Sequence, residues 1–165
     1  MFLSLKISVA ILCFLYAFSI YALPEDKQQK VYIVSDASIY NYRTGISVFE
    51  GHVRIDQGST HITADRLITK NNDQHKMQEA IAYGFTTLAH YWTLQKPDAP
   101  EIHAYAKIIK FYPLNSNVTL EENVLVRQGE NVFRGQLIHY NKNDQTIIVP
   151  PSKDGRAVLV YHPDK

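Results

Sequence analysis

Seven histidines are the first residues in this chain with metal or acid–base chemistry in them: His52, His61, His75, His90, His103, His139 and His162. A metal-binding imidazole needs a second ligand at fixed spacing. The chain has no H-x-H, no H-E-x-x-H and no carboxylate at ligand distance from a histidine pair. Nucleophilic chemistry is equally bare. The single cysteine, Cys13, lies in an apolar leader, there is no G-x-S-x-G elbow, and Gly58-Ser59 reads as a turn. Glu79, Glu101 and Asp65 could be assembled into an acid–base pair, yet nothing in the pattern sets two of them across a cleft. No glycine-rich loop is available to cradle phosphates, and Asn117-Val118-Thr119 matches a glycosylation acceptor only as a pattern inside a short turn. The expected catalytic set is empty, and no metal or cofactor is expected.

The elements that would position a site begin after the leader. Lys6 is followed by an almost wholly apolar run from Ile7 to Ile20, and Tyr21-Ala22 precedes the polar Leu23-Pro24-Glu25-Asp26. Residues 1–22 therefore read as a secretory signal peptide cleaved after Ala22. The run is shorter than the roughly 20 residues of a spanning helix. Cleavage removes Cys13, so residues 23–165 are expected to form one domain held by a core rather than by disulfides. Removing Lys6 from the 17 basic residues leaves 16 against 16 acidic ones. A neutral chain has no field that draws it to nucleic acid or to an anionic membrane.

Alternation dominates the chain after the leader. Val31 and Ile33 share one parity, and Phe49, Val53 and Ile55 another, with His52, Arg54 and Asp56 between them. Turn signals at Thr44-Gly45, Gln57-Gly58, Asn71-Asn72-Asp73, Asn115 to Asn117, Gln128-Gly129 and Asn141 to Asp144 recur about every dozen residues, as in an all-β fold. One stretch is written twice: Val53, Gln57-Gly58 and Asn72-Asp73-Gln74 return 71 residues later as Val124, Gln128-Gly129 and Asn143-Asp144-Gln145. Two hairpin repeats, about 31–94 and 102–165, are therefore expected, joined by a Pro97- and Pro100-containing loop. Gly84 and Thr86-Thr87 mark a bend. Thr146 to Val149 and Ala157 to Tyr161 read as a closing strand pair around Asp154-Gly155. Val31 and Ile33 at one end, and Val158 and Val160 at the other, would leave open edges for head-to-tail self-association.

The expected inner face comprises Val31, Ile33, Phe49, Val53, Ile55, Ile62, Leu67, Phe85, Leu88, Phe111, Leu120, Val124, Val126, Phe133 and Ile138. On residues alone it is either an ordinary packed core or a groove partly open to acyl chains, each buried methylene contributing about 0.8 kcal/mol. A scaffold that binds protein strands through its edges stays open as a reading, as does a cupin-like or sugar-cleaving enzyme.

The motif order narrows this. Ile33-Val34-Ser35-Asp36, Phe49-Glu50-Gly51-His52-Val53-Arg54-Ile55-Asp56-Gln57-Gly58 and Ile62-Thr63-Ala64-Asp65 resemble the OstA-like family of periplasmic lipopolysaccharide-transport bridge proteins. Tyr83-Gly84, Gln128-Gly129 and Asp154-Gly155-Arg156 fit the same pattern, and the likeness runs from about Val31 to Pro163. Gly51-His52 and Glu122-Asn123 each keep half of the family's Gly-Asn, and both read as turn positions. The resemblance implies a folded-over antiparallel β-jellyroll, open at both ends, that hydrolyses nothing. It implies lipopolysaccharide as ligand, its lipid A chains shielded in the groove. The implied partners are a tethered inner-membrane subunit and an outer-membrane translocon with related β-jellyroll domains.

Overall fold

The structure is a computed structural model that describes residues 28–151, 153 and 156–161. The leader, the Asp154-Gly155 turn and His162 lie outside the described residues. The elements are twelve strands: β1 (Tyr32–Val34), β2 (Ala37–Asn41), β3 (Ile46–Gln57), β4 (Thr60–Asn71), β5 (Met77–Tyr83), β6 (Ala89–Thr93), β7 (Ile102–Ala106), β8 (Ile108–Tyr112), β9 (Asn117–Gln128), β10 (Asn131–Asn141), β11 (Thr146–Ile148) and β12 (Val158–Val160). Their pairings are antiparallel throughout. The fold is the all-β, folded-over β-jellyroll expected from the sequence.

The folding-over comes from the four long strands. β3 pairs with β2 through residues 46–50 and with β1 through residues 54–56, and its register against β4 shifts between Glu50 and Val53. β9 repeats the arrangement against β8 and β7, with a matching shift in β10 between Gly135 and Leu137. At each shift two successive residues have positive φ, Gly51 and His52 in β3 and Glu122 and Asn123 in β9. A bulge of this kind leaves residues unpaired and bends the strand. One sheet thereby becomes two facing walls joined along a spine. The first wall runs β1, β3, β4, β6, β7, β9, β10, β12 and the second runs β2, β3, β4, β5, β8, β9, β10, β11, the long strands contributing half their length to each.

The two halves of the chain coincide at the 71-residue offset. β2 maps onto β8, and β3 onto β9, residue for residue. The pairs Tyr32–Asp56 and Ala37–Glu50 recur as His103–Arg127 and Ile108–Glu121. Within the chain the first half joins the second through β6 on β7 and β5 on β8. The expected closing pair does not form. β11 and β12 both pair with β10 at different ends, because β10 bends through both walls and offers a partner in each.

Candidate functional site

The side chains between the walls form continuous cross-strand rows. In the first wall one row reads Ile33, Ile55, Ile62, Tyr91, Ala104, Val126, Phe133 and Leu159, each residue directly opposite the next. In the second wall a row reads Phe49, Leu67, Ala82, Ile109, Leu120 and Ile138. The alternation that made each strand half apolar thus builds one apolar surface across both repeats. Val53, Ile55, Ile62, Leu67, Phe111, Leu120, Val124, Val126 and Ile138 are buried there, and Val31, Ile33, Phe49 and Phe133 pack half-buried against them. The space left near Tyr91, Leu120 and Ile138 is about 10 Å³, room for one water at most. The walls are in contact: the Tyr91 and Phe111 rings lie 6.3 Å apart across the interior.

Phe85 and Leu88 do not belong to this surface. They are 69% and 37% exposed. β5 ends at Tyr83, and the next residues cross from one wall to the other outside the spine, where the Asp65 carboxylate accepts hydrogen bonds from the N–H groups of Phe85 (2.6 Å) and Thr86 (2.7 Å). Those bonds, with the Thr86 bond foremost, hold Asp65 below its ordinary pKa. Phe85 stacks on Tyr83 on the outer side.

Several interior residues escaped the pattern. Ala80, Ala82, Ala89, Ala104 and Ala106 line β5, β6 and β7, and Tyr91, Ile102, Ile109, Val118 and Tyr140 complete the core. The one available signal was Ala-x-Ala, which recurs at Ala80-Ile81-Ala82 and Ala104-Tyr105-Ala106 and places small residues on one parity.

The histidines fall on the outer face. His61, Trp92, His90 and Tyr105 stack successively, with ring centroids 4.9, 4.6 and 4.3 Å apart, and Arg54 lies over Trp92 at 5.8 Å. His90 Nε2 and His103 Nδ1 share a hydrogen bond of 3.1 Å. Burial in this stack, and then the charge of His103, pushes His90 down to about 4, so its imidazole is neutral at ordinary pH. Among the described residues no three of His, Cys, Asp and Glu come together as a metal-holding group.

The mouth, opposite the spine, is polar. Its row on the first wall reads Gln57, Thr60, Thr93, Ile102, Gln128 and Asn131. Two sets of hydrogen bonds cross it. Gln95 Nε2 donates to the Tyr140 hydroxyl at 2.6 Å and Gln128 Nε2 to Gln95 Oε1 at 3.0 Å, while Lys142 Nζ donates to Thr93 Oγ1 at 3.0 Å.

A two-walled sheet with an apolar interior, a polar mouth and no assembled catalytic groups among the described residues is a container. Residues 32–146 match the family described as LptA/(LptD N-terminal domain) LPS transport protein. The chain belongs to this family. The matched span starts at β1 and stops at the first residue of β11, so it holds both bulged strands and the seam between the repeats. Among relatives of the LPS transport family, the lipopolysaccharide export system protein LptH of Pseudomonas aeruginosa is 27% identical over 126 residues, covering 76% of this chain and 71% of that protein. LptA of Escherichia coli K12 is 23% identical over 145 residues, covering 88% and 77%. The crystal structure of LptH, described as the LptA homologous periplasmic component of a lipopolysaccharide transport device, superposes with a TM-score of 0.78 at 24% identity. It covers 85% of this chain and all of that one, a likeness of fold.

Proposed function

We propose that this protein is a non-catalytic periplasmic bridge that carries lipopolysaccharide from the inner toward the outer membrane. Lipid A chains would lie between the walls while the saccharide stays in water. The observation that carries this reading is the apolar row that runs unbroken from Ile33 through Ile62 and Phe133 to Leu159, from one sheet edge to the other. Such a wall has no preferred register, so a chain in it can slide. Because the space near Tyr91 and Ile138 is only about 10 Å³, loading requires the walls to part at the mouth. Secretion through a leader cleaved after Ala22 belongs to the same proposal, and the mature N-terminus tests it.

The assembly follows from the seam. β12 stands on β10 much as β6 stands on β4, and β1 is the counterpart of β7. A second copy added through the same joint would pair β12 with its β1 and β11 with its β2. Tyr32, Val34, Ile39, Leu159 and Tyr161 are exposed apolar residues on those strands or beside them. The related β-jellyroll domains of a tethered inner-membrane subunit and of an outer-membrane translocon would take the two terminal places.

Photo-crosslinkers at Val53, Ile62 and Phe133 are expected to capture lipopolysaccharide in cells, whereas Arg54 and Phe85, which face outward, are not. Equal labelling at all five positions would sink the groove assignment. A scaffold that binds strands through its edges draws on the closed interior, and it predicts partner binding with no lipid capture. The assembly part is checked by sedimentation: the whole chain should associate with rising concentration, and Val160→Pro should weaken that association while preserving the fold.

A further inference from the structure

At the mouth a cation stands among three hydroxyls. Lys142 follows β10 at the lip of the second wall, and its Nζ reaches across to Thr93 Oγ1 at 3.0 Å, Ser59 Oγ at 3.4 Å and Thr60 Oγ1 at 3.5 Å. Thr60 and Thr93 are 3% and 0% exposed, and their hydroxyl oxygens are 3.1 Å apart. Ser59 stands beside them, its hydroxyl donating to the Leu94 carbonyl at 3.1 Å. Immediately inward of this cluster the same strands present Ile62 and Tyr91. The cluster therefore sits at the boundary where an apolar chain in the trough would end and a polar headgroup would begin.

The chemistry of the four groups suits a tetrahedral oxyanion. An ammonium brings three donors, and each hydroxyl can turn its proton toward an incoming acceptor. Charge-assisted bonds to phosphate are the strong kind. The set is not a repeated structural device: 71 residues away from Ser59, Thr60 and Lys142 stand Glu130, Asn131 and Asn71. It forms only where the first-wall lip of one repeat faces the second-wall lip of the other.

We propose that Lys142, with Ser59, Thr60 and Thr93, forms a subsite for a phosphate group carried on the headgroup of an acylated lipid whose chains enter between the walls. Without ligand the ammonium bridges the lips and helps hold the mouth shut. A phosphate replaces the hydroxyl oxygens as its acceptor, lets those hydroxyls donate to the same group, and so exchanges the latch for a ligand contact. The inference rests on the transport reading, because it needs the acyl chains inside.

The test measures equilibrium binding of the mature chain to lipid A bearing both phosphates and to the same lipid with the phosphates removed. The wild type is expected to bind the phosphorylated lipid about tenfold more tightly, the scale of a charge-assisted contact. Lys142→Gln should lose that preference with the affinity for the dephosphorylated lipid unchanged. Thr93→Val, which removes only a hydroxyl, should lose part of it. Inorganic phosphate should compete only weakly, since it brings no acyl chains; competition as strong as that of the phosphorylated lipid would assign the cluster to free phosphate and overturn the headgroup reading. Equal wild-type affinity for the two lipids overturns the proposal. So does a Lys142→Gln variant that binds both lipids equally worse, or both better, the last making Lys142 a latch alone. If the dephosphorylated lipid binds but phosphate adds nothing, the subsite fails and transport stands; if neither lipid binds, both fail.

Discussion

Ile62 sits mid-row in the first wall, between Ile55 and Tyr91, and is 1% exposed. Ile62→Ala removes three carbons, a transfer loss of about 2.4 kcal/mol at ~0.8 kcal/mol per methylene. The interior around Tyr91 has only about 10 Å³ of space, so its surfaces already touch and cannot close far over the gap. A cavity contribution brings the expected loss to about 3–4 kcal/mol. For a chain of this size that lowers the melting temperature by roughly 10 °C. The same measurement in saturating lipid A separates a core from a carrier. If acyl chains occupy the trough, a mobile chain fills the space left by the deleted carbons, and the difference between variant and wild type should fall to about 1–2 kcal/mol. Val34→Ala, on the exposed outward side of β1, should shift stability by less than about 0.5 kcal/mol in either condition. An identical loss for Ile62→Ala with and without lipid would refute the reasoning, since the chains would then lie elsewhere.

Other substitutions address the spine and the outer face. Gly51 has φ +75°, and a methyl group there would overlap the Asp36 carboxylate, so Gly51→Ala should cost about 2 kcal/mol or more in denaturant titration. Glu122 holds the equivalent position at φ 61° and makes only an exposed ion pair with Lys107, so Glu122→Gly should leave stability unchanged or raise it by up to ~1 kcal/mol. Asp65→Ala removes the acceptor for the Phe85 and Thr86 N–H groups and should cost about 1–3 kcal/mol, with faster amide exchange confined to the loop after β5. His90 binds its proton less tightly in the fold than in the unfolded chain. Its contribution is therefore present above pH 6.5 and is lost as pH falls from 6.5 toward about 4. The full shift corresponds to about 3 kcal/mol, and for a half-buried ring solvent screening reduces this to about 1–2 kcal/mol. His90→Asn should flatten the stability profile in that window.

The branched residues of the long strands declared the inner face because they recur at period two with charges between them: Val53 and Ile55 flank Arg54, and Val124 and Val126 flank Leu125 beside Arg127. The seam strands hid it. On β5 and β6 the bulky members Ile81, Tyr83 and Trp92 face outward, and Ala80, Ala82 and Ala89 face in. Hydropathy weights the wrong parity there, because the interior has little room. Ala104 lies opposite Tyr91 and Ala80 opposite Phe111, so each alanine makes space beside one of the two rings that meet across the walls. The outward rings are stabilised by their own stacking, a contact between residues on β4, β6 and β7 that no local window contains. The mouth cluster was hidden for the same reason, since Lys142 stands 49 residues from Thr93.

The spine shows what the duplication preserved. Positive φ recurs at Gly45 and Ser116, Gly51 and Glu122, His52 and Asn123, and Gly58 and Gly129, every pair 71 residues apart, yet only the last pair keeps its residue type. Gly51-His52 and Glu122-Asn123, which read as turn positions, are the points where a single strand passes from one wall to the other. Left-handed backbone costs a non-glycine residue about 1–2 kcal/mol, so something must hold it. Asp36 and Lys107, also 71 apart, donate their N–H groups to the carbonyls of Gly51 and Glu122 at 3.0 Å each. Their side chains then pair with the bulge in opposite senses, Asp36 with His52 at 2.6 Å and Lys107 with Glu122 at 3.3 Å. Acid on base has become base on acid, with the backbone bond unchanged beneath it. The bend therefore depends on main-chain geometry and a complementary pair of either polarity, which is why a residue-matching eye sees half a motif in each copy while the fold repeats in full.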